Sequence, residues 1–133
     1  MFTALDSLSE MLLNEAASED FVRVLAETLP TSIPEDYFDF LMCNNGGEGF
    51  VGDEYLIMFN AEEIVRFNQG YEVEKYAPGL LLFGSNGGGE GYAFDTTSEE
   101  CPVVKVPFIG MDHRYAKVVG QNLSDFILQL SDA

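Results

Sequence analysis

Leu80-Leu81-Leu82-Phe83-Gly84-Ser85-Asn86-Gly87-Gly88-Gly89-Glu90-Gly91-Tyr92-Ala93-Phe94-Asp95 sets an apolar run on either side of a segment with five glycines in eight residues. Such a cluster is either a specified turn between two strands or a loop that approaches a ligand closely. Gly84 and Gly89 have the spacing of a phosphate-binding loop, but that loop needs Lys and Ser or Thr where Glu90 and Gly91 stand. A carboxylate there repels phosphate, and Tyr92-Ala93-Phe94 alternates as a strand instead of opening a helix. The segment therefore reads as a hairpin with a structural glycine turn at Gly84, Gly88 and Gly89. At least one of Gly84 and Gly87 to Gly89 is expected at positive φ, with no affinity for ATP or GTP.

Outward from the hairpin, Phe50-Val51 and Tyr55 to Phe59 flank Gly52-Asp53-Glu54 and read as a second hairpin. Val104, Val106 and Phe108 alternate along another strand, and Ala116 to Val119 suits an edge strand. Short turns between these strands call for a largely antiparallel sheet. Helical spacing frames it on both sides. Leu5, Leu8 and Leu12, widened by Leu13, predict a first helix. Ser18 caps a second, with Phe21, Leu25 and Leu29 on one face and Pro30 at its end. Ser32 and Glu35 have capping-box spacing around Pro34 for a third, with Tyr37, Phe38, Leu41 and Met42 facing inward. Asn44-Asn45-Gly46-Gly47 suits a left-handed helix end. Asn60 and Glu63 cap a short helix carrying Ile64 and Phe67, and Asn122 caps a last one carrying Leu123, Phe126, Ile127 and Leu130. The reading is α+β: one largely antiparallel sheet with helices packed on one face, N-terminal helices and a C-terminal helix, within one domain over residues 1–133.

Charge excludes some functions. Twenty-three acidic residues against six basic ones give a net charge of −17, which argues against a nucleic-acid partner, since phosphate binding runs on Lys and Arg. The carboxylates recur along the whole chain and make either a solubilising surface or a field that steers a basic protein; charge alone leaves both open. Cys43 and Cys101 form no CxxC pair and read as reduced thiols. The first residues lack a basic segment and a continuous apolar stretch, and no window reaches the length of a membrane span, so a cytoplasmic protein is expected.

Chemistry-bearing constellations are sparse. His113, the sole histidine, sits in Asp112-His113-Arg114-Tyr115. It has the makings of a general base, but a lone His beside two charged residues is more often an exposed loop side chain. One His and two separated Cys do not make a closed zinc site, and Asp53-Glu54 lacks the alternating oxygen ligands of a calcium loop. No metal, no cofactor and no catalytic residue is expected.

Taken in order, Ile33-Pro34, Asp36-Tyr37, Phe40-Leu41, Asn45-Gly46-Gly47, Glu63-Ile64, the Phe83-Gly84 to Asp95 segment and Leu123-Ser124-Asp125-Phe126-Ile127 resemble the SUKH superfamily, close to its Smi/Knr-type branch. The likeness covers roughly residues 20 to 130, and it rests on the order of motifs that are each weak alone. The chain departs from the pattern in having no Trp and in carrying Gly120-Gln121-Asn122 before its last helix. The resemblance implies a domain without enzymatic activity. Many bacterial relatives are thought to be immunity proteins that neutralise a delivered toxin, and fungal ones act through protein contacts. It makes Tyr37, Phe40 and Leu41 core and Asn45, Gly46 and Gly47 a structural turn. The implied partner is a protein, foremost a basic toxin domain such as a nuclease. Candidate contacts are the carboxylates on strand ends and turns, Glu48, Asp53, Glu54 and Glu90; if charge does not carry the contact, aromatic anchors such as Phe50, Tyr55 or Tyr92 are the alternative. Two other classes stay open: a small-molecule sensor using the tyrosine tips of Tyr55, Tyr92 or Tyr115, and an enzyme around His113. Partner identity and oligomeric state are not encoded in these patterns.

Overall fold

A computed structural model describes residues 5–132. Met1 to Ala4, on which part of the leader reading rests, lie outside the described residues. Seven strands form one sheet in sequence order, every neighbouring pair antiparallel: β1 (Met11–Leu13), β2 (Gly47–Val51), β3 (Glu54–Met58), β4 (Leu80–Ser85), β5 (Glu90–Asp95), β6 (Val103–Pro107) and β7 (Lys117–Gly120). Among the described residues five α-helices accompany them: α1 (Glu19–Thr28), α2 (Glu35–Cys43), α3 (Ile64–Gly70), α4 (Val73–Tyr76) and α5 (Leu123–Ser131). The α+β reading holds, with α1 and α2 ahead of most of the sheet and α5 after it.

One face of the sheet is covered by α2 and α5. Tyr37 of α2 meets Phe83 and Phe94, with ring centroids 5.8 and 5.2 Å apart, and Phe126 of α5 meets Phe83 and Tyr92. Tyr37, Phe40, Leu41, Phe83, Phe94 and Phe126 are all fully buried, so burial of large aromatic area is the main favourable term here. The two covering helices are also tied to each other, because Asp36 Oδ2 accepts the Ser124 N–H at the start of α5, 2.9 Å away. Asn122 caps α5 as expected, its side chain accepting the Asp125 N–H at 2.8 Å. Ser18 caps α1 in the same way, through the Phe21 N–H.

Beside β4 the ladder changes partner. β3 pairs with β4 only at Ile57–Ser85 and Met58–Gly84. Where β3 ends, Asn68 of α3 takes over: its Oδ1 accepts the Leu82 N–H at 2.8 Å and its Nδ2 donates to the Leu82 carbonyl at 3.0 Å. One amide thus satisfies both backbone groups of a buried strand residue. Asn68→Leu orphans them and is expected to cost about 2 kcal/mol, read as a lower urea midpoint with an unchanged slope.

Several local expectations are corrected. The helix expected from Leu5, Leu8, Leu12 and Leu13 is a 3₁₀ turn, Leu5–Leu8, followed by strand β1. Pairing wins over local periodicity there, because β2 offers Gly47 and Gly49 opposite Leu13 and Met11 and the backbones approach closely. The Ser32–Glu35 capping box does not form. Pro34 itself occupies the N-cap position of α2 at φ −60°, and no side chain caps the helix start. Asn60 makes no side-chain cap; Asn45, from another loop, supplies its Oδ1 to the Ala61 N–H at 2.7 Å. The helix end at Asn44 is extended, and the left-handed turn comes two residues later, at Gly46. Val22 replaces Phe21 on the buried face of α1, and Phe40 replaces Met42 on that of α2. Helix α4, entered through Glu72 at φ +53°, carried no pattern that marked it.

The glycine hairpin behaves as a turn. Gly87 and Gly89 have φ of +74° and +103°, whereas Gly84 lies outside the left-handed region and serves by close approach to β3. A bulge between Leu82 and Gly84 places Phe83 against the helix side.

Candidate functional site

The four candidate carboxylates do not form one cluster. Cross-strand neighbours point to the same face, so register places each of them. Glu48 is opposite Leu12 on β1 and Ile57 on β3, on the face away from α5. Glu54 is opposite Val51 and points to the other side, where it shares a cavity of about 270 Å³ with Tyr92, Lys105 and Gln129. Glu90 stands on the same side: its Oε1 lies 3.8 Å from Lys105 Nζ and accepts from Asn86 Nδ2 at 3.2 Å. Asp53 occupies the turn between β2 and β3. Glu54 and Glu90 therefore meet around Tyr92, Asp53 adjoins Glu54 in sequence, and Glu48 belongs elsewhere. The Tyr92 hydroxyl records the grouping, since burial and then the charges of Glu54 and Glu90 push it up to about 12.

The glycine loop turns the backbone donors of Asn86, Gly87, Gly88 and Glu90 inward. Ser85 Oγ accepts the Gly87 N–H at 3.0 Å, and Asn86 Oδ1 accepts those of Gly88 and Glu90 at 2.8 and 3.2 Å. A phosphate cradle works by offering free backbone N–H groups. Here they close the turn, and Glu90 begins β5 beside it.

His113 lies against the β5–β6 connection. Its Nε2 is 3.3 Å from Asp95 Oδ1, and Thr97 donates to the same oxygen through its hydroxyl and its backbone N–H. Burial pushes the Asp95 carboxyl up, but the bonds from Thr97 and His113 outweigh it and hold the group below the usual carboxylate range. This arrangement fastens the 3₁₀ turn His113–Tyr115 to the sheet. The nucleophile a base would need is not supplied by Cys101, whose thiol is pushed up by burial. Both cysteines are free, and no group of three or more potential metal ligands occurs among the described residues.

The tyrosine tips considered for a sensor do not converge either. Tyr55 donates to Glu48 Oε2, Tyr92 is buried against Phe126, and Tyr115 is exposed under the Arg114 guanidinium.

Sequence reasoning offered Phe50 and Tyr55 only as alternative anchors and missed the face, on the side where Glu48 points, that gathers them with Leu12. Leu12 is 83% exposed and Phe50 52% exposed, and the rings of Phe50 and Tyr55 meet edge to face at 5.2 Å. Next to them a groove of about 490 Å³ runs between Ile57 and the rings of Phe59, Phe67 and Tyr71. The signal was the register, which the sequence does not print.

Electrostatically the surface is dominated by unmatched carboxylates. Arg23, Arg66, Lys75, Lys105 and Arg114 each pair with an acid of their own neighbourhood. Asp53, Glu54 and Glu48 form no ion pair among the described residues, although Lys105 lines the same cavity as Glu54. No helix among the described residues is long and apolar enough to cross a membrane.

Comparison with curated proteins returned no match. A family model does: that of the SMI1 / KNR4 family (SUKH-1) matches residues 16–129, from the approach to α1 through most of α5. The match spans nearly all of the sheet and the helices packed on it, and the chain belongs to this family.

Proposed function

We propose that this chain is a non-enzymatic protein-binding domain, acting as a cytoplasmic bacterial immunity protein that neutralises a cognate basic toxin. The family includes immunity-type proteins, and the observation that carries the reading is the surface charge. An excess of carboxylates, with nearly every cation already paired within the chain, presents a complementary field to a basic partner and to little else. Glu54 and Glu90 are gathered around Tyr92, with Asp53 in the turn before Glu54, and Glu48 lies on the uncovered face, so both regions are open to an approaching cationic surface.

The test is protection. Bacteria expressing a basic toxin domain encoded beside this chain should survive when the chain is co-expressed, and the two purified proteins should elute as one complex. Killing that is indifferent to the chain, with no complex formed, sinks the immunity reading.

A further inference from the structure

We propose that the uncovered face of β1–β3, with its groove against α3, is the docking surface for a partner segment in which arginine is flanked by apolar side chains. The proposal rests on the protein-binding reading and deepens it. Single exposed apolar residues are ordinary. These are contiguous by register, because Leu12, Glu48 and Ile57 form one cross-strand row and Phe50 and Tyr55 the next. Aromatic anchors with few rotamers that border a concave pocket are where binding energy concentrates. The groove of about 490 Å³ continues the row past Ile57 to Phe67 and Tyr71.

Charge selects the occupant. The polar atoms around this apolar floor are mostly acceptors. Glu48 stands exposed in the middle of it, and among the described residues its one hydrogen-bond partner is the Tyr55 hydroxyl. Glu63 lines the groove as well, and Arg66 already engages it at 2.5 Å. Asn60, also lining it, holds a buried Oδ1 without a hydrogen-bond partner among the described residues. A guanidinium brings five donors and a flat face suited to aromatic rings, so it satisfies Glu48 while its stem and neighbours cover Leu12 and Phe50. A second copy of the chain fits poorly, since pairing this face with itself sets Glu48 near like charge on a body of net charge −17.

The probe is a capped peptide, Leu-Arg-Phe-Arg-Leu, titrated into isotope-labelled protein and followed by NMR. Resonances of Leu12, Phe50, Ile57 and Tyr71 should shift together, and Leu12→Ser with Phe50→Ser should weaken binding about tenfold with an unchanged melting temperature. Shifts confined to Asp53, Glu54 and Glu90, or equal binding by a Gly-Arg-Gly-Arg-Gly peptide, overturn the proposal. So does a native dimer that the Leu12→Ser variant dissolves. In the protection assay, full protection by the double Ser variant sinks this docking face and leaves the immunity reading standing. Failure of the native chain to protect, with the peptide still seated on the face, sinks the immunity reading alone.

Discussion

Gly46→Ala is expected to destabilise the chain by about 4 kcal/mol, a large effect for a single added methyl. Two independent costs coincide there. The residue sits at φ +79°, where a side chain adds on the order of 1–3 kcal/mol of backbone strain. Its Cβ would also stand 2.5 Å from the Met58 carbonyl oxygen and 2.9 Å from Phe59 backbone atoms, and overpacking of this kind adds roughly 1–3 kcal/mol. Those neighbours are backbone, so they cannot rotate aside. The glycine hairpin supplies the controls that separate the two costs. Gly89 has φ +103° with open space around it, so Gly89→Ala should show strain alone, about 1–2 kcal/mol. Gly84 is outside the left-handed region, but its Cβ would press on the Ile57 carbonyl oxygen, so Gly84→Ala should show the overpacking cost alone, about 2–3 kcal/mol. Gly88→Ala meets only the Asn86 side chain at 3.6 Å and should be close to neutral. Urea unfolding of the four variants gives the series. If Gly46→Ala costs no more than Gly88→Ala, both the turn geometry and the close approach of β2 and β3 are wrong.

The same positions show where sequence reading succeeds and where it stops. The hairpin of β4 and β5 is legible because its strands, its turn and its pairing are all local: two apolar runs and a glycine cluster leave few alternatives. Helix α5 is legible for a similar reason, with Asn122 as cap and Leu123, Phe126 and Ile127 on one stripe. Strand β1 is not. Three residues are too few to show alternation, the Leu8–Leu12 spacing imitates a helix, and the partner that decides the matter lies more than thirty residues away at Gly47 to Gly49. Ser32 was misread because a capping box assumes that the helix begins at the box, whereas Pro34 delays the start to Glu35. The candidate carboxylates suffer from a subtler limit. That Glu48, Asp53, Glu54 and Glu90 fall on strand ends and turns could be read from the chain. That Glu48 faces away from Glu54 follows from strand register, and a shift of one residue would reverse it. The row of Leu12, Phe50 and Tyr55 is hidden by the same fact: Leu12 looks like a helix core residue, and Phe50 and Tyr55 stay scattered candidate anchors until their shared face is known.

Asp53→Lys together with Glu54→Lys is expected to slow association with the cognate toxin about tenfold, the low end of what steering contributes, while dissociation changes much less. Both side chains are exposed and neither forms an ion pair among the described residues, and Lys105, which lines the cavity with Glu54, is paired with Glu90, so reversal breaks no internal pair. Glu90 is better left in place, because it holds Lys105 and the Asn86 side chain, and a lysine there would set two ammonium groups together. The physical signature is salt dependence. The Debye length falls from about 10 Å at 0.1 M to about 3 Å at 1 M, so the native association rate should drop steeply over that range and the double variant should respond less. Phe50→Ser should do the opposite: its ring desolvates after encounter, so the loss should appear in dissociation, with little change in association or in the salt slope. Stopped-flow mixing at several ionic strengths resolves the two. A native rate insensitive to salt, with Asp53→Lys and Glu54→Lys without effect, removes electrostatic steering. Binding energy would then have to come from the apolar face alone. If Phe50→Ser leaves dissociation unchanged while the charge reversals slow association, the carboxylate end around Tyr92 is the contact surface and the uncovered face of β1–β3 is not.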